Sequence, residues 1–155
     1  MIKQNDKGCL PVVQKIGCFV RACGAMAEMK TEKELTAKQI NDLWNWGKKS
    51  GHINLNDIVK HSAPIATQAL KMLGGHGRFI EIATFKDGRM NYYESVTENL
   101  KKLPKFYIQK IKTNGPEGTH FRNIDFEGNL IFDPHYPDIM PAGIFYSIVY
   151  IYVED

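Results

Sequence analysis

Residues 17–28 read Gly-Cys-Phe-Val-Arg-Ala-Cys-Gly-Ala-Met-Ala-Glu, and apolar or small side chains occupy almost every position. From Ile16 to Met29, only Arg21 and Glu28 carry charge. A helix that is apolar on all sides packs in the interior of a protein rather than on its surface. The sequence therefore predicts a central, buried helix over 16–29, with the other elements packed around it.

Two further helices are predicted from their end signals. Thr36 and Gln39 have the spacing of a capping box, and Gly51 follows a helical pattern as a stop. Ser62 is the expected cap of the next helix, which Gly74-Gly75 would end. Both helices therefore precede the region in which strands are predicted.

Beyond Gly77 the pattern changes to strands. The segments that favour strands are 79–85, 106–113, 119–126, 129–133 and 144–153. A short helix is expected over 94–103, and residues 1–15 are expected to be extended because Pro11 limits helix formation. Helices followed by antiparallel strands make an α+β fold. We expect residues 1–155 to form a single domain in which N-terminal helices, with the buried one at their centre, pack on a C-terminal antiparallel sheet.

The composition is that of an ordinary globular protein, with 43% hydrophobic and 24% charged residues in 155. The net charge of +3 is too small to indicate a nucleic-acid partner. No run approaches the roughly 18–20 apolar residues of a membrane span, and residues 1–7 lack the apolar core of a secretory signal. We therefore expect a cytoplasmic protein with no membrane partner. The three cysteines, an odd number, exclude a complete disulfide framework.

Cys18 is the candidate nucleophile. Gly17 allows the chain to enter the buried helix sharply, which would place Cys18 in the first turn, where free N–H groups and the helix dipole favour a thiolate. His120 and Asp133 follow on predicted strands and would act as general base and acid and as orienting carboxylate. Together with Cys23, the other thiol of this helix, these three residues do not have the sequence spacing of a metal site, such as Cys-x-x-Cys. We therefore expect neither a metal nor another cofactor.

The hairpin between the strands of His120 and Asp133 gives a geometric test of their pairing. A two-residue loop at Glu127-Gly128 would pair Asp133 with Arg122, two residues from His120 on the same face of the sheet. A three-residue loop without a bulge would send the two side chains to opposite faces. The triad therefore requires the even register, or a bulge that restores it.

An oxyanion hole needs hydrogen-bond donors aimed at the developing charge. The backbone N–H of Cys18 is one candidate donor. The side-chain amide of Gln14, four residues upstream, is the second. Gln4 is a weaker alternative.

These motifs together resemble a known enzyme family. Gly17-Cys18 opening a buried helix, Thr119-His120-Phe121 at a strand and Phe132-Asp133-Pro134 at the next are similar to papain-like cysteine peptidases. The resemblance is closest to the bacteriocin-leader-processing, or double-glycine, peptidases and their phage- or prophage-encoded relatives of unassigned function. It implies a papain-like fold and a cysteine-dependent peptidase, isopeptidase or amidase acting on a peptide or protein substrate. Gln14 is closer to the cysteine than the oxyanion glutamine of these relatives commonly is.

Other interpretations of the same residues remain open. The same fold could serve as a catalytically inactive binding module, such as a phage or prophage accessory protein, and murein hydrolysis is a third hypothesis. His135 is a second-choice base, because it lies close to Asp133 in sequence. Cys18 could also be a packed helix cysteine, and Asp133-Pro134 a strand-ending turn.

Overall fold

A computed structural model describes residues 1–116 and 118–154 of the chain and confirms the α+β class. The helices are α1 (Pro11–Ile16), α2 (Cys18–Thr31), α3 (Ala37–Ser50), α4 (Ser62–Met72) and α5 (Glu98–Lys101). The strands are β1 (Arg78–Lys86), β2 (Arg89–Tyr92), β3 (Lys105–Lys112), β4 (Thr119–Ile124), β5 (Leu130–Phe132) and β6 (Gly143–Val153). Helices α2–α4 precede every strand, as the sequence predicted.

The strands form one antiparallel sheet in the order β2-β1-β6-β3-β4-β5. Helices α2 and α4 cover one face, and α3 packs against both of them. Apolar side chains of all three helices form one cluster with Ile108, Ile148 and Tyr150 of the sheet. A smaller cluster on β1, β3, β4 and β6 is partly covered by residues around α5, among them Leu100 and Leu103. The sheet therefore separates two apolar layers, and the larger one contains α2.

Helix α2 is the buried helix that the sequence predicted. Its residues from Val20 to Glu28 are all buried, including the two charged ones. Arg21 and Glu28 form an ion pair of 2.6 Å between nitrogen and oxygen, with both side chains almost fully inaccessible. Glu28 also accepts a hydrogen bond from the Leu35 amide at 3.0 Å. The two buried charges of α2 therefore pair with each other inside the core.

The predicted ends of α3 are confirmed, as is the stop of α4 at Gly74-Gly75, where Gly74 has a left-handed φ of 77° and the Gly75 amide donates to the Leu70 carbonyl at 2.8 Å. The predicted cap of α4 is wrong. Thr36 and Gln39 form the reciprocal capping box, and Gly51 ends α3 with a left-handed φ of 81°. His61, not Ser62, occupies the cap position of α4 and makes no side-chain cap. The Ser62 hydroxyl instead forms a 2.6 Å hydrogen bond with the Tyr150 hydroxyl of the sheet. It is therefore not available to cap the helix.

The other differences concern short elements. Residues 11–16 are helical rather than extended, because Pro11 occupies the first helical turn, where its missing N–H costs nothing. Strand β2 was not predicted, and the helix expected over 94–103 is reduced to α5. Cys18 and His120 lie in their predicted elements, whereas Asp133, predicted to close the strand 129–133, follows directly after β5.

Gly17 joins α1 to α2 and is required for its size. Its φ of −82° is open to any residue, so conformational freedom is not the reason for glycine here. A Cβ at this position would lie 2.5 Å from the Val13 carbonyl oxygen and 2.8 Å from the Val13 Cα. The two helices can therefore meet this closely, immediately before Cys18, only without a side chain at residue 17.

Gly17→Ala is expected to lower the free energy of unfolding by about 1–3 kcal/mol, the usual cost of forcing a methyl group into a packed site. Urea unfolding followed by circular dichroism measures the change. Gly115→Ala is the control, since its Cβ would meet nothing nearer than the Thr113 hydroxyl at 3.9 Å. Equal stability of the two variants would contradict this account of Gly17.

Candidate active site

Cys18 is the first residue of α2 and the most accessible cysteine. Its side chain is half-buried, whereas Cys9 and Cys23 are buried. The first hydrogen bond within α2 is donated by the Arg21 amide to the Gly17 carbonyl at 2.8 Å. The amides of residues 18–20 belong to the first turn, whose N–H groups have no acceptor within the helix. Cys18 therefore combines partial exposure with a helix N-terminus.

His120 and Asp133 lie against each other. His120 is the second residue of β4, and Asp133 follows the last residue of β5. The distance between His120 Nε2 and Asp133 Oδ1 is 2.6 Å, and the two residues are only 3% and 1% exposed. This contact leaves Nδ1 as the imidazole nitrogen available to other groups.

The hairpin reaches the required register through a bulge. The Asp125 amide bonds to the Asn129 carbonyl at 2.9 Å, which encloses a three-residue loop instead of the predicted two-residue loop. The register then shifts between Ile124, opposite Leu130, and Asn123, opposite Phe132. One extra residue on β5 thus restores the even register. Extended by one step, this register places Asp133 opposite Arg122, as the triad requires.

The carboxylate of Asp133 is held by backbone amides as well as by His120. Oδ1 accepts a hydrogen bond from the His135 amide at 2.9 Å, and Oδ2 accepts one from the Ile139 amide at 2.8 Å. Burial raises the pKa of Asp133, but the hydrogen bonds from His120 and from these two amides outweigh it and keep the pKa below its ordinary value. The residue is therefore a fixed anion facing the imidazole.

The imidazole of His120 favours its protonated form. Burial lowers its pKa, but hydrogen bonds with Asp133 and with the Cys18 side chain raise it to about 9. Cys18 thus acts on the same ring as Asp133. The structure places Asp133 against His120, and the Cys18 side chain is near enough to the same ring to act on its pKa.

The free energy of unfolding should depend on pH because the pKa of His120 changes on folding. Because the pKa of His120 is raised from 6.5 to about 9 on folding, the stabilisation is complete below about 6.5 and is lost as the pH rises through about 9. We expect the wild type to lose more unfolding free energy over this interval than His120→Gln, which cannot titrate. Urea unfolding at a series of pH values measures both. Parallel curves would contradict the raised pKa.

Two contacts attach α2 to β4 beside the site, and the sequence analysis missed both. The rings of Phe19 and Phe121 stack with centroids 4.0 Å apart and an angle of 13° between their planes. The side-chain Nδ2 of Asn123 donates to the Ala22 carbonyl at 3.0 Å inside the protein. Phe19 and Phe121 each follow a predicted site residue, which is the one sequence signal that could have suggested their pairing. The contacts fix the distance between the helix of Cys18 and the strand of His120.

Both glutamine side chains that were considered as oxyanion donors are hydrogen-bonded. Gln14 Nε2 donates to the Cys9 carbonyl at 2.7 Å, which leaves it one N–H. Gln4 is buried, and its Nε2 lies 3.4 Å from the Val13 carbonyl and 3.2 Å from the Gln14 carbonyl. This arrangement leaves no N–H of Gln4 for an oxyanion, while the role of Gln14 stays a prediction.

His135 supports the aspartate. Its amide donates to Asp133 Oδ1, and its Nδ1 lies 3.0 Å from the Pro137 carbonyl. Its ring meets that of His120 edge-on with centroids 6.5 Å apart. His120 rather than His135 is therefore the imidazole that contacts the carboxylate side chain.

A groove lies near the start of α2, and none of Cys18, His120 and Asp133 lines its wall. It has a volume of about 410 Å³ and lies between the start of α4 and strands β6, β1 and β2. Phe19, the residue after Cys18, contributes to its wall together with Tyr146 and Ile148. Lys60 and Lys86 contribute positive charge and Glu81 negative charge. The groove is large enough to hold several atoms of an extended chain next to α2.

Comparisons with protein-family models, with curated proteins and with solved structures give no match to this chain. Within residues 1–116 and 118–154, no three His, Cys, Asp or Glu side chains are grouped so that they could hold a metal ion. No helix in that part of the chain is both long and apolar enough to cross a membrane.

Proposed function

We propose that this chain is a papain-like cysteine hydrolase that cleaves a peptide or isopeptide amide, with Cys18, His120 and Asp133 as its catalytic triad. The observation that carries the proposal is the 2.6 Å contact of His120 Nε2 with Asp133, on an imidazole that also interacts with a half-exposed thiol at a helix N-terminus. Nucleophile, proton carrier and orienting group thus occur in the order that thiol hydrolysis requires.

In the acylation step, the Cys18 sulfur attacks the amide carbonyl carbon and a C–S bond forms. The carbonyl oxygen becomes an oxyanion, for which the Cys18 N–H and the remaining N–H of Gln14 are the proposed donors. His120 gives its proton to the amine nitrogen, the C–N bond breaks and the amine leaves. Asp133 holds the ring in position and stabilises its positive charge.

In the deacylation step, His120 takes a proton from water, and the resulting hydroxide equivalent attacks the thioester carbon. The C–S bond then breaks, the acid leaves, and sulfur and imidazole return to their starting state. An amine in place of water would give acyl transfer with the same groups. The groove beside Phe19 is the proposed site for the substrate chain.

One observation favours a second candidate, a non-catalytic binding module with the same fold. Gln14 Nε2 already donates one hydrogen bond to the Cys9 carbonyl, so only one of its two N–H groups is left for an oxyanion. In this alternative the groove beside Phe19 would bind a peptide without cleaving it. The activity experiment separates the two candidates.

The experiment exposes the protein to a complex peptide mixture and identifies new termini by mass spectrometry. We expect cleavage by the wild type, none by Cys18→Ser, and unchanged cleavage by Cys23→Ala, which alters a thiol buried in the core. Cleavage that survives in Cys18→Ser would contradict the proposal. Peptides retained by both proteins without cleavage would favour the binding module.

A further inference from the structure

Residues 2–5, which we call the strap, run along the segment that carries Asp133. The Gln4 amide donates to the Pro134 carbonyl at 2.6 Å, and the Lys3 ammonium donates to the Asp133 carbonyl at 2.5 Å. Asn5 bonds to Tyr136 twice, through Nδ2 to its carbonyl at 2.6 Å and through Oδ1 to its amide at 3.1 Å. Strap and segment are therefore joined at three successive strap residues.

The other side of the strap is fixed to α2, which carries Cys18, and to α1, which precedes it. Arg21, buried in α2, donates from Nε to the Ile2 carbonyl at 2.5 Å. The Gln4 side chain lies against the Val13 and Gln14 carbonyls of α1. Arg21 also lies over the ring of Phe132, 4.9 Å from its centroid. The strap thus connects the helix of the thiol to the strand end that presents the carboxylate.

The loop after β5, residues 133–139, has few other external attachments. It follows an edge strand of only three residues, whose register with β4 is shifted by a bulge. The amides of His135 and Ile139 bond to Asp133 itself, so they shape the loop without fixing it to the rest of the fold. Its position therefore depends on the His120 contact and on the strap.

We propose that the strap is a positioning element that holds the Asp133 carboxylate against His120, with Lys3 and Asn5 as its positioning residues. The pairing of His120 with Asp133 is a structural property, and only the effect of the strap on turnover rests on the proposed function. Lys3 and Asn5 touch the backbone of the loop rather than any reacting atom. They act through Asp133.

The direction in which the His120 pKa changes on substitution of Lys3 distinguishes a charge effect from a positioning effect. Lys3 lies 3.5 Å from Asp138, and the carboxylates of Asp133 and Asp138 both act on Arg122. Through charge alone, loss of the Lys3 cation would raise the pKa of His120, because one positive neighbour disappears. Loss of positioning would lower it, because the carboxylate moves away. The two effects have opposite signs.

The test is the NMR titration of the His120 ring in the full chain, with thermal unfolding recorded on the same samples. In Lys3→Met and in Asn5→Ala we expect the pKa of His120 to fall by about one pH unit, a typical effect of a nearby opposite charge. Lys3→Arg, which keeps a cationic donor, should restore the wild-type value. Asn54→Ala is the matched control, since Asn54 also holds a loop through two backbone amides, those of Asn56 and Ile58.

A wild-type titration curve in both strap variants would overturn the proposal, and so would a raised pKa in Lys3→Met. The single Lys3→Met variant changes a partly exposed side chain, so the test does not depend on whether Asn5→Ala folds. If the wild type cleaves no peptide, the titration still reports on the strap. If it cleaves peptides while the variants titrate normally, only the strap proposal fails.

Discussion

His120→Ala is expected to lower Cys18-dependent turnover by about 10²–10⁴-fold, the usual contribution of a general acid and base. Without the imidazole, the amine would leave unprotonated and the attacking thiol would have no proton acceptor. Steady-state cleavage of a peptide found in the activity experiment measures the loss. His135→Ala is the matched control, because the His135 ring is nearby but does not contact the Asp133 side chain.

We expect His135→Ala to retain most of the activity, because the His135 amide that bonds to Asp133 is unaffected by the change. Equal losses in the two variants would show that general damage to the loop, rather than loss of a proton carrier, explains the effect. A larger loss in His135→Ala would assign the base to His135 and contradict the proposed triad.

Glu28→Gln is expected to lower the free energy of unfolding by about 3–5 kcal/mol, the cost of breaking a buried ion pair by neutralising one partner. The Arg21 guanidinium would remain in the core, 2.6 Å from a group without charge. The Arg21 side chain is inaccessible to solvent and lies against the Ile2 carbonyl and the Phe132 ring, so solvent does not replace the lost carboxylate charge. Chemical unfolding measures the change.

Asp42→Asn provides the comparison, because Asp42 pairs with Lys38 on the exposed side of α3. We expect this change to cost less than about 1 kcal/mol, as for most surface ion pairs. A similar cost in the two variants would show that the Arg21–Glu28 pair is compensated by relaxation or by solvent. It would then have no special part in holding α2 in the core.

The features that the sequence predicted best depend on local patterns. The uninterrupted apolar composition of residues 16–29 can be satisfied only by burial, and α2 is buried accordingly. The capping box of α3 requires only residues within one turn, and it formed as expected. The predicted residues Cys18, His120 and Asp133 come together because each lies at or near the end of a correctly predicted element.

The hairpin between β4 and β5 could be predicted only in part from the sequence. Because side chains alternate between the two faces of a sheet, His120 and Asp133 can pair only if they lie on the same face. The structure satisfies this requirement. The loop length was wrong, because a positive φ of 88° at Gly128 suits a three-residue loop as well as a two-residue one. The compensating bulge on β5 has no signature in a strand of three residues.

The long-range polar contacts could not be predicted from the sequence. The strap meets the Asp133 loop through residues more than a hundred positions apart, and no local pattern marks them as partners. The pairing of Arg21 with Glu28 was missed for a different reason. Their seven-residue spacing places them two turns apart, where long side chains meet only if the core leaves a path between them. The Gln14 contact with Cys9 likewise depends on the unpredicted helix α1.

The most direct measurement is the rate at which iodoacetamide alkylates each cysteine of the native protein, resolved by mass spectrometry at about pH 6. At this pH an ordinary thiol reacts slowly, whereas a thiolate paired with a protonated His120 reacts quickly. We expect Cys18 to react faster in the folded protein than in urea, and Cys9 and Cys23 to be protected. A Cys18 that reacts no faster when folded than when denatured would contradict the thiolate–imidazolium pair and, with it, the proposed enzyme.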